Sequence, residues 1–107
     1  MREETLKIYD SLVALCPRFE LKGKTMPYTS ANGYMFSLLN KSGELGVRLP
    51  KEHCDAFKEE HNTTKFMSYG AVMKDYVLIT DKMLNDSDFM VNLLNKSFDY
   101  VMSLPPK

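Results

Sequence analysis

The fold is decided by residues 34–49, which read YMFSLLNKSGELGVRL. Residues 34–39 are a strand-like run, and the turn-forming tetrapeptide Asn40-Lys41-Ser42-Gly43 follows them. Residues 44–49 then alternate, so that three apolar side chains share one side of the chain and Arg48 lies on the other. Those apolar residues are Leu45, Val47 and Leu49. The pattern predicts a β-hairpin.

The residues before this hairpin predict a helix and then a strand. Apolar residues recur at helical spacing over residues 6–16, and Pro17 ends the helix. Residues 18–22 alternate, with Phe19 and Leu21 apolar between charged neighbours, which predicts a half-buried strand. Residues 26–33 are rich in turn-forming residues and predict a loop or an irregular strand edge.

The residues after the hairpin predict two helices separated by two strands. The predicted elements are a helix over residues 50–61, strands over residues 66–69 and 75–80, and a helix over residues 86–104. Pro50 suits the first turn of a helix, and Asp86 and Ser87 are good N-cap residues.

The predicted order is α-β-β-β-α-β-β-α, in a single domain over residues 1–107. The strands come in groups and do not alternate singly with helices. This favours an α+β fold, with an antiparallel five-stranded sheet and helices packed on it, over a doubly wound parallel sheet. Residues 34–36 and 76–79 are apolar on both faces. Such strands lie centrally, or something covers their outer face.

The formal net charge is zero, from 14 Lys and Arg and 14 Asp and Glu. This balance excludes a strongly basic nucleic-acid binder. The charge is unevenly distributed, because the strand-forming residues 18–48 and 65–80 carry a net +4 and the helical remainder carries −4. One face of the sheet is therefore expected to be mildly basic, whereas no predicted helix has the basic character of a major-groove recognition helix.

The amino-terminal residues predict a cytoplasmic protein. Glu3 and Glu4 stand where a secretory signal would be basic and then apolar. No apolar run is long enough to span a bilayer, so we expect no membrane association. Cys16 and Cys54 lack the framework of a disulfide-rich secreted domain, and both thiols are expected to be reduced and buried.

The residues that most often catalyse reactions or bind metals form no recognisable site. His53 and His61 are two helical turns apart, which is the wrong spacing for shared metal ligands on one helix face. Adjacent helical residues point about 100° apart, so His53 does not activate Cys54 as its neighbour. A pairing across the fold with the other cysteine or histidine stays open. We expect no enzymatic activity, no metal and no cofactor.

Five short segments make the chain similar to a known family. They are Gly33-Tyr34-Met35-Phe36, residues 43–49 (GELGVRL), residues 66–69 (FMSY), residues 73–77 (MKDYV) and residues 103–107 (SLPPK). The chain resembles the N-terminal domain of the TfoX/Sxy family, small bacterial proteins that often occur as this domain alone. The resemblance covers nearly the whole chain.

The resemblance implies an α+β fold of the secretion-chaperone-like type and a non-enzymatic role in regulating transcription and competence for DNA uptake. The chain departs from the family pattern in two places. Such domains usually carry Met-Phe-Gly-Gly where this chain has Met26-Pro27-Tyr28-Thr29, and Lys-Gly-Trp where it has Lys74-Asp75-Tyr76. A function that depends on the Gly-Gly loop is therefore not transferred to this chain.

The sequence leads to two hypotheses from different classes. The first is a regulatory interaction module that binds a protein partner, or a second copy of itself, through uncovered apolar surface of the sheet. Its candidate contact residues are Arg48, Tyr69, Lys74 and Tyr76. Alternatively, Arg48 is a solvated strand residue and Tyr76 belongs to the core. The second hypothesis is weak direct binding of nucleic acid through the basic face of the sheet and hairpin.

Overall fold

The predicted hairpin lies in the middle of the fold. The computed structural model describes residues 2–23, 25–68 and 70–106, and within them the chain forms a five-stranded antiparallel sheet and four helices. In chain order the elements are α1 (Arg2–Ala14), β1 (Tyr28–Ala31), β2 (Tyr34–Leu39), β3 (Leu45–Arg48), α2 (Lys51–Glu60), β4 (Lys65–Ser68), β5 (Ala71–Leu78), α3 (Asp81–Leu84) and α4 (Ser87–Met102). The strands are arranged in the order β1-β2-β3-β5-β4. The predicted α+β architecture is confirmed.

Strands β2 and β3 form the predicted hairpin, with Ser37 opposite Val47. Its turn is closed by a 3.1 Å hydrogen bond from the Gly43 amide to the Asn40 carbonyl. Gly43 has a φ of +85°, which glycine adopts without strain. Both β2 and β5 have a neighbouring strand on each side. The two strands that are apolar on both faces are therefore central, as predicted.

The prediction of a first strand at residues 18–22 is wrong. Of these residues, all of which the structure describes, only Lys22 pairs with the sheet, through an isolated bridge to Tyr28. The alternation arises because Phe19 packs against the main core and stacks on Phe98 of α4, with ring centroids 5.4 Å apart. Strand β1 forms in the following segment instead, so residues 26–33 contain the irregular strand edge and not only a loop.

One strand is longer than predicted, and one short helix is additional. Strand β5 begins at Ala71 and not at residue 75, and the short helix α3 was not predicted. Thr80 caps α3, because its side-chain oxygen accepts a 3.3 Å hydrogen bond from the Met83 amide. A helix of one turn is too short to show a helical period in the sequence.

Helices α1 to α4 bury the main core against one face of the sheet. Each helix contributes buried side chains to it, such as Tyr9, Cys54, Met83 and Leu94. The polar atoms inside this core are paired: the hydroxyls of Tyr9 and Thr29 both form hydrogen bonds with the Ser37 hydroxyl. Buried hydroxyls that find such partners avoid the cost of desolvation.

A second apolar cluster lies on the opposite face of the sheet, which we call the outer face. Its buried members are Leu38, Phe66 and Tyr76, and the partly buried residues packed against them are Met26, Tyr28, Met35, Met73 and Leu78. Each of these residues belongs to a strand or to the loop before β1. Within the described chain, the outer face is therefore closed by the sheet's own side chains and that loop, without a helix.

Phe66 closes the outer face by lying directly on Gly46 of β3. A Cβ atom added at Gly46 would overlap carbon atoms of the Phe66 ring. The ring then stacks on Tyr76, with centroids 6.0 Å apart. A glycine at this position is what allows the aromatic pair to approach the backbone of β3.

Gly46→Ala is expected to lower the free energy of unfolding by about 2 kcal/mol, because the new methyl group would overlap the Phe66 ring. Chemical denaturation followed by circular dichroism measures the change. Phe66→Leu is the matching change, since it removes the ring that the methyl group meets. The double variant is expected to be less destabilised than the two single losses added together. A Gly46→Ala variant as stable as the wild type would contradict the close contact.

Candidate functional site

The structure does not gather all four of the residues that the sequence suggested as contacts. Arg48 and Tyr76 lie opposite each other on β3 and β5. Lys74 is exposed and lines a cavity between β5 and α2, which Tyr76 also lines. Tyr69 lies outside the described residues. A site is therefore built from Arg48 and Tyr76.

Strands β2 and β3 separate at the end of the sheet where Arg48 lies. Their pairing stops at Ser37 and Val47. Ser97 of α4 fills the gap, because its hydroxyl is 3.3 Å from the Phe36 carbonyl oxygen and 2.5 Å from that of Arg48. The Ser97 hydroxyl thus supplies a hydrogen-bond donor at the point where the pairing of the two strands has ended.

The guanidinium group of Arg48 lies between two tyrosine rings. Its Cζ atom is 5.4 Å from the ring centroid of Tyr34 and 5.7 Å from that of Tyr100 on α4. At such distances a cation is attracted to the ring face. The Nε atom of Arg48 is buried without a hydrogen-bond partner, and Arg48 forms no ion pair with any residue that the structure describes. Arg48 with Tyr34, Tyr76 and Tyr100 is called the arginine site below.

Tyr76 is the buried side of the arginine site. It is 6% exposed, and its hydroxyl donates a 2.7 Å hydrogen bond to the Met35 carbonyl oxygen. Burial raises the pKa of the Tyr76 phenol well above its usual range, and the positive charge of Arg48 opposes this rise. Tyr76 therefore supports the site from within the second cluster, which is the core position that the sequence left as an alternative.

Methionines line a cavity of about 380 Å³ on the outer face. They are Met26, Met35 and Met73. Lys41 stands at the same cavity. Lys22 reaches this face through a 3.3 Å hydrogen bond from its ammonium group to Ser30, which lies opposite Met35 in the sheet. Because methionine is flexible and polarisable, such a surface adapts to the shape of an apolar ligand.

Strand β5 bulges next to the arginine site. Its register against β4 shifts after Lys65, and residues 73–76 contain the extra length. Asp75 in this bulge has a φ of +67°, in the left-handed region. Its carbonyl oxygen accepts a 2.9 Å hydrogen bond from the amide of Leu49. This bond anchors β3 immediately after Arg48.

A second cavity of about 380 Å³ lies between α2 and α4. His53 and His61 both line it, together with Phe57 and Phe89. The His61 ring contacts both aromatic rings, at centroid distances of 4.4 and 5.1 Å. Within the described residues, no three His, Cys, Asp or Glu side chains come together as ligands for a metal ion. The two histidines thus share a groove and pack on its aromatic floor.

Comparisons with known proteins add no relative. No protein-family model matches the chain, and no curated protein matches it. The resemblance to the TfoX/Sxy N-terminal domain therefore stays a prediction from the sequence. Among the helices of the described chain, none has the length and apolar character that a membrane span requires.

Sequence reasoning missed the two rings that flank Arg48. Tyr34 was placed in a strand and Tyr100 in a helix, without a role for either. Tyr100 reaches Arg48 from α4, and the chain after α4 returns to β2, where the Tyr34 hydroxyl donates a 2.6 Å hydrogen bond to the Pro105 carbonyl oxygen. No local pattern in the sequence reports such a contact.

The strain at Asp75 can be measured by comparing two substitutions. Asp75→Gly is expected to be more stable than Asp75→Ala by about 1 kcal/mol, because alanine meets a steric penalty at positive φ that glycine avoids. Thermal or chemical denaturation of both variants checks this difference. Both substitutions remove the same carboxylate, so its loss cancels in the comparison. Equal stabilities would contradict the left-handed conformation.

Stability is expected to fall above about pH 10, because burial raises the pKa of Tyr9 and Tyr76 in the folded state. As the pH rises, the two phenols lose their protons at a lower pH in the unfolded chain than in the folded chain. The free energy of unfolding therefore falls by about 1.4 kcal/mol per pH unit for each such tyrosine. Tyr76→Phe is expected to remove the contribution of one tyrosine from this pH dependence. Denaturation at several pH values measures the change. Parallel curves for variant and wild type would contradict the burial of this phenol.

Proposed function

We propose that this protein is a non-enzymatic regulatory module that binds a protein partner through the outer face and the arginine site. The observation that supports this most directly is the second apolar cluster, which no helix of the described chain covers. Around three buried side chains, five further apolar residues stay only partly buried. Apolar surface grouped in this way is typical of interaction sites.

The charges around the outer face favour a partner with acidic groups beside apolar side chains. Lys22 and Lys41 lie at the face, and Arg48 lies at its end opposite Tyr76. Complementary charges raise association rates and select partners. A second copy of the chain would bring the same three cations against each other. An acidic, apolar segment of another protein therefore fits this face better than a homodimer does.

The resemblance to the TfoX/Sxy N-terminal domain supports a regulatory role, in transcription or in competence for DNA uptake. We place this role in the cytoplasm. Cys16 and Cys54 both have free, buried thiols, a state typical of proteins in a reducing compartment. Burial also raises the pKa of both thiols, which keeps them protonated and inert.

Nucleic acid is the second candidate ligand, and the same cations favour it. Sheets that bind single strands stack bases on exposed aromatic rings. The central ring of the outer face, Tyr76, is buried and tied to Met35 by its hydrogen bond. This face therefore supplies positive charge without an open stacking ring at its centre, which favours the protein partner.

A synthetic peptide tests the proposal. The peptide carries leucine and phenylalanine flanked by glutamates, and it is titrated into ¹⁵N-labelled protein. Amide shifts are expected to cluster on β1, β2 and β5, whose side chains form the outer face. Lys41→Glu is expected to weaken binding about fivefold, the effect of one rim charge. Lys7→Glu makes the same charge change on α1 and is expected to leave the affinity unchanged.

Three results would overturn the proposal. The first is equal binding of a peptide in which every glutamate is replaced by lysine. The second is a stable dimer in sedimentation equilibrium without peptide, which would assign the outer face to a second copy. The third is retardation of a DNA or RNA oligonucleotide at low salt, abolished by Lys41→Glu, in a protein that does not bind the peptide.

A further inference from the structure

Two arginines lie against aromatic rings in the described chain, but only one of them is paired with a carboxylate. Arg18 lies over Phe98, with Cζ 4.5 Å from the ring centroid, and donates 2.8 Å hydrogen bonds to Asp99 and Asn95. Arg48 lies between two rings, yet its buried Nε has no partner and no described acidic residue pairs with it. A buried donor left unpaired is unfavourable, so the state of Arg48 calls for an explanation.

We propose that Arg48 binds a carboxylate of the protein partner, so that one Asp or Glu side chain of that partner completes the arginine site. This inference rests on the proposed function and names the chemistry of one contact within it. The terminal nitrogens of the guanidinium group are the donors that reach the partner's carboxylate, and Arg48 then gains the ion pair that it lacks within the described chain.

The groups around Arg48 hold it ready for such a ligand. The Tyr34 ring is fixed by the hydrogen bond from its hydroxyl to Pro105, and the Tyr76 hydroxyl is fixed by Met35. The backbone of Arg48 is held by Ser97. A donor whose position is set before binding loses little entropy when the ligand arrives, and this raises affinity.

The charge and shape of the site favour a carboxylate over a phosphate. Arg48 is the cation of the arginine site, and its positive charge acts on the Tyr76 phenol. One guanidinium group offers a planar pair of donors that matches the two oxygens of a carboxylate. A phosphate dianion carries nearly twice the charge, and binding it strongly takes further cations.

Arginine side-chain NMR tests the inference directly. The Nε–H resonances of Arg48 and Arg18 are followed while sodium acetate replaces sodium chloride at constant ionic strength. The Arg48 resonance is expected to shift and saturate, whereas the Arg18 resonance, already paired with Asp99, stays in place. Arg48→Lys keeps the charge and loses the fork, so it is expected to weaken binding of the glutamate peptide about tenfold. Arg18→Lys is the matched control and leaves this affinity unchanged.

Single Glu→Gln replacements in the peptide identify the carboxylate. One position is expected to lose about tenfold in affinity for the wild type and nothing for Arg48→Lys. The inference is overturned if the Arg48 resonance ignores acetate, or if inorganic phosphate shifts it at lower concentration than acetate does. It is also overturned if the peptide binds Arg48→Lys as tightly as the wild type. Acetate binding without peptide binding would instead overturn the proposed function and leave the carboxylate site in place.

Discussion

The contact between Phe66 and Gly46 is the constraint on which the outer half of the structure depends. Because Gly46 has no side chain, the Phe66 ring lies against the backbone of β3 and stacks on Tyr76. Tyr76 can then extend to β2 and donate its hydroxyl hydrogen to Met35. The same tyrosine lies opposite Arg48. The absence of a side chain at Gly46 thus fixes both the apolar face and the position of Tyr76 opposite Arg48.

The sequence predicted those elements of the fold that have a local sequence pattern of their own. The hairpin was readable because its turn residues and its alternation agree. The first strand was placed wrongly, since alternation reports which side chains are buried and not whether the backbone has a strand neighbour. Phe19 is buried by α4, and no ladder is involved. β1 contains Thr29 and Ser30, which read as turn residues, yet the Thr29 hydroxyl is satisfied by Ser37 inside the core.

The site could be predicted only in part, for a related reason. Arg48 stood out because it is a charged residue within an apolar hairpin, and tyrosines stood out as interface residues. What Arg48 touches depends on where α4 ends, and Tyr100 meets it across the fold. Lys74 was grouped with Arg48 from the sequence. The bulge in β5 instead leaves it at the cavity beside α2. Spacing along a strand predicts faces only while the strand stays regular.

Several unfavourable features of this fold lie together at one end of the sheet. There β2 separates from β3, Asp75 adopts positive φ, and Arg48 keeps a buried donor without a partner. They are linked, because the Asp75 carbonyl holds the Leu49 amide, directly after Arg48. At the helical face, by contrast, buried hydroxyls are paired and Arg18 has its carboxylate. Strain persists where the surrounding structure enforces it, and it is common at functional sites. The enforcement here comes from Ser97, Tyr34 and the bulge together, which hold Arg48 at the end of the sheet without an ion pair among the described residues.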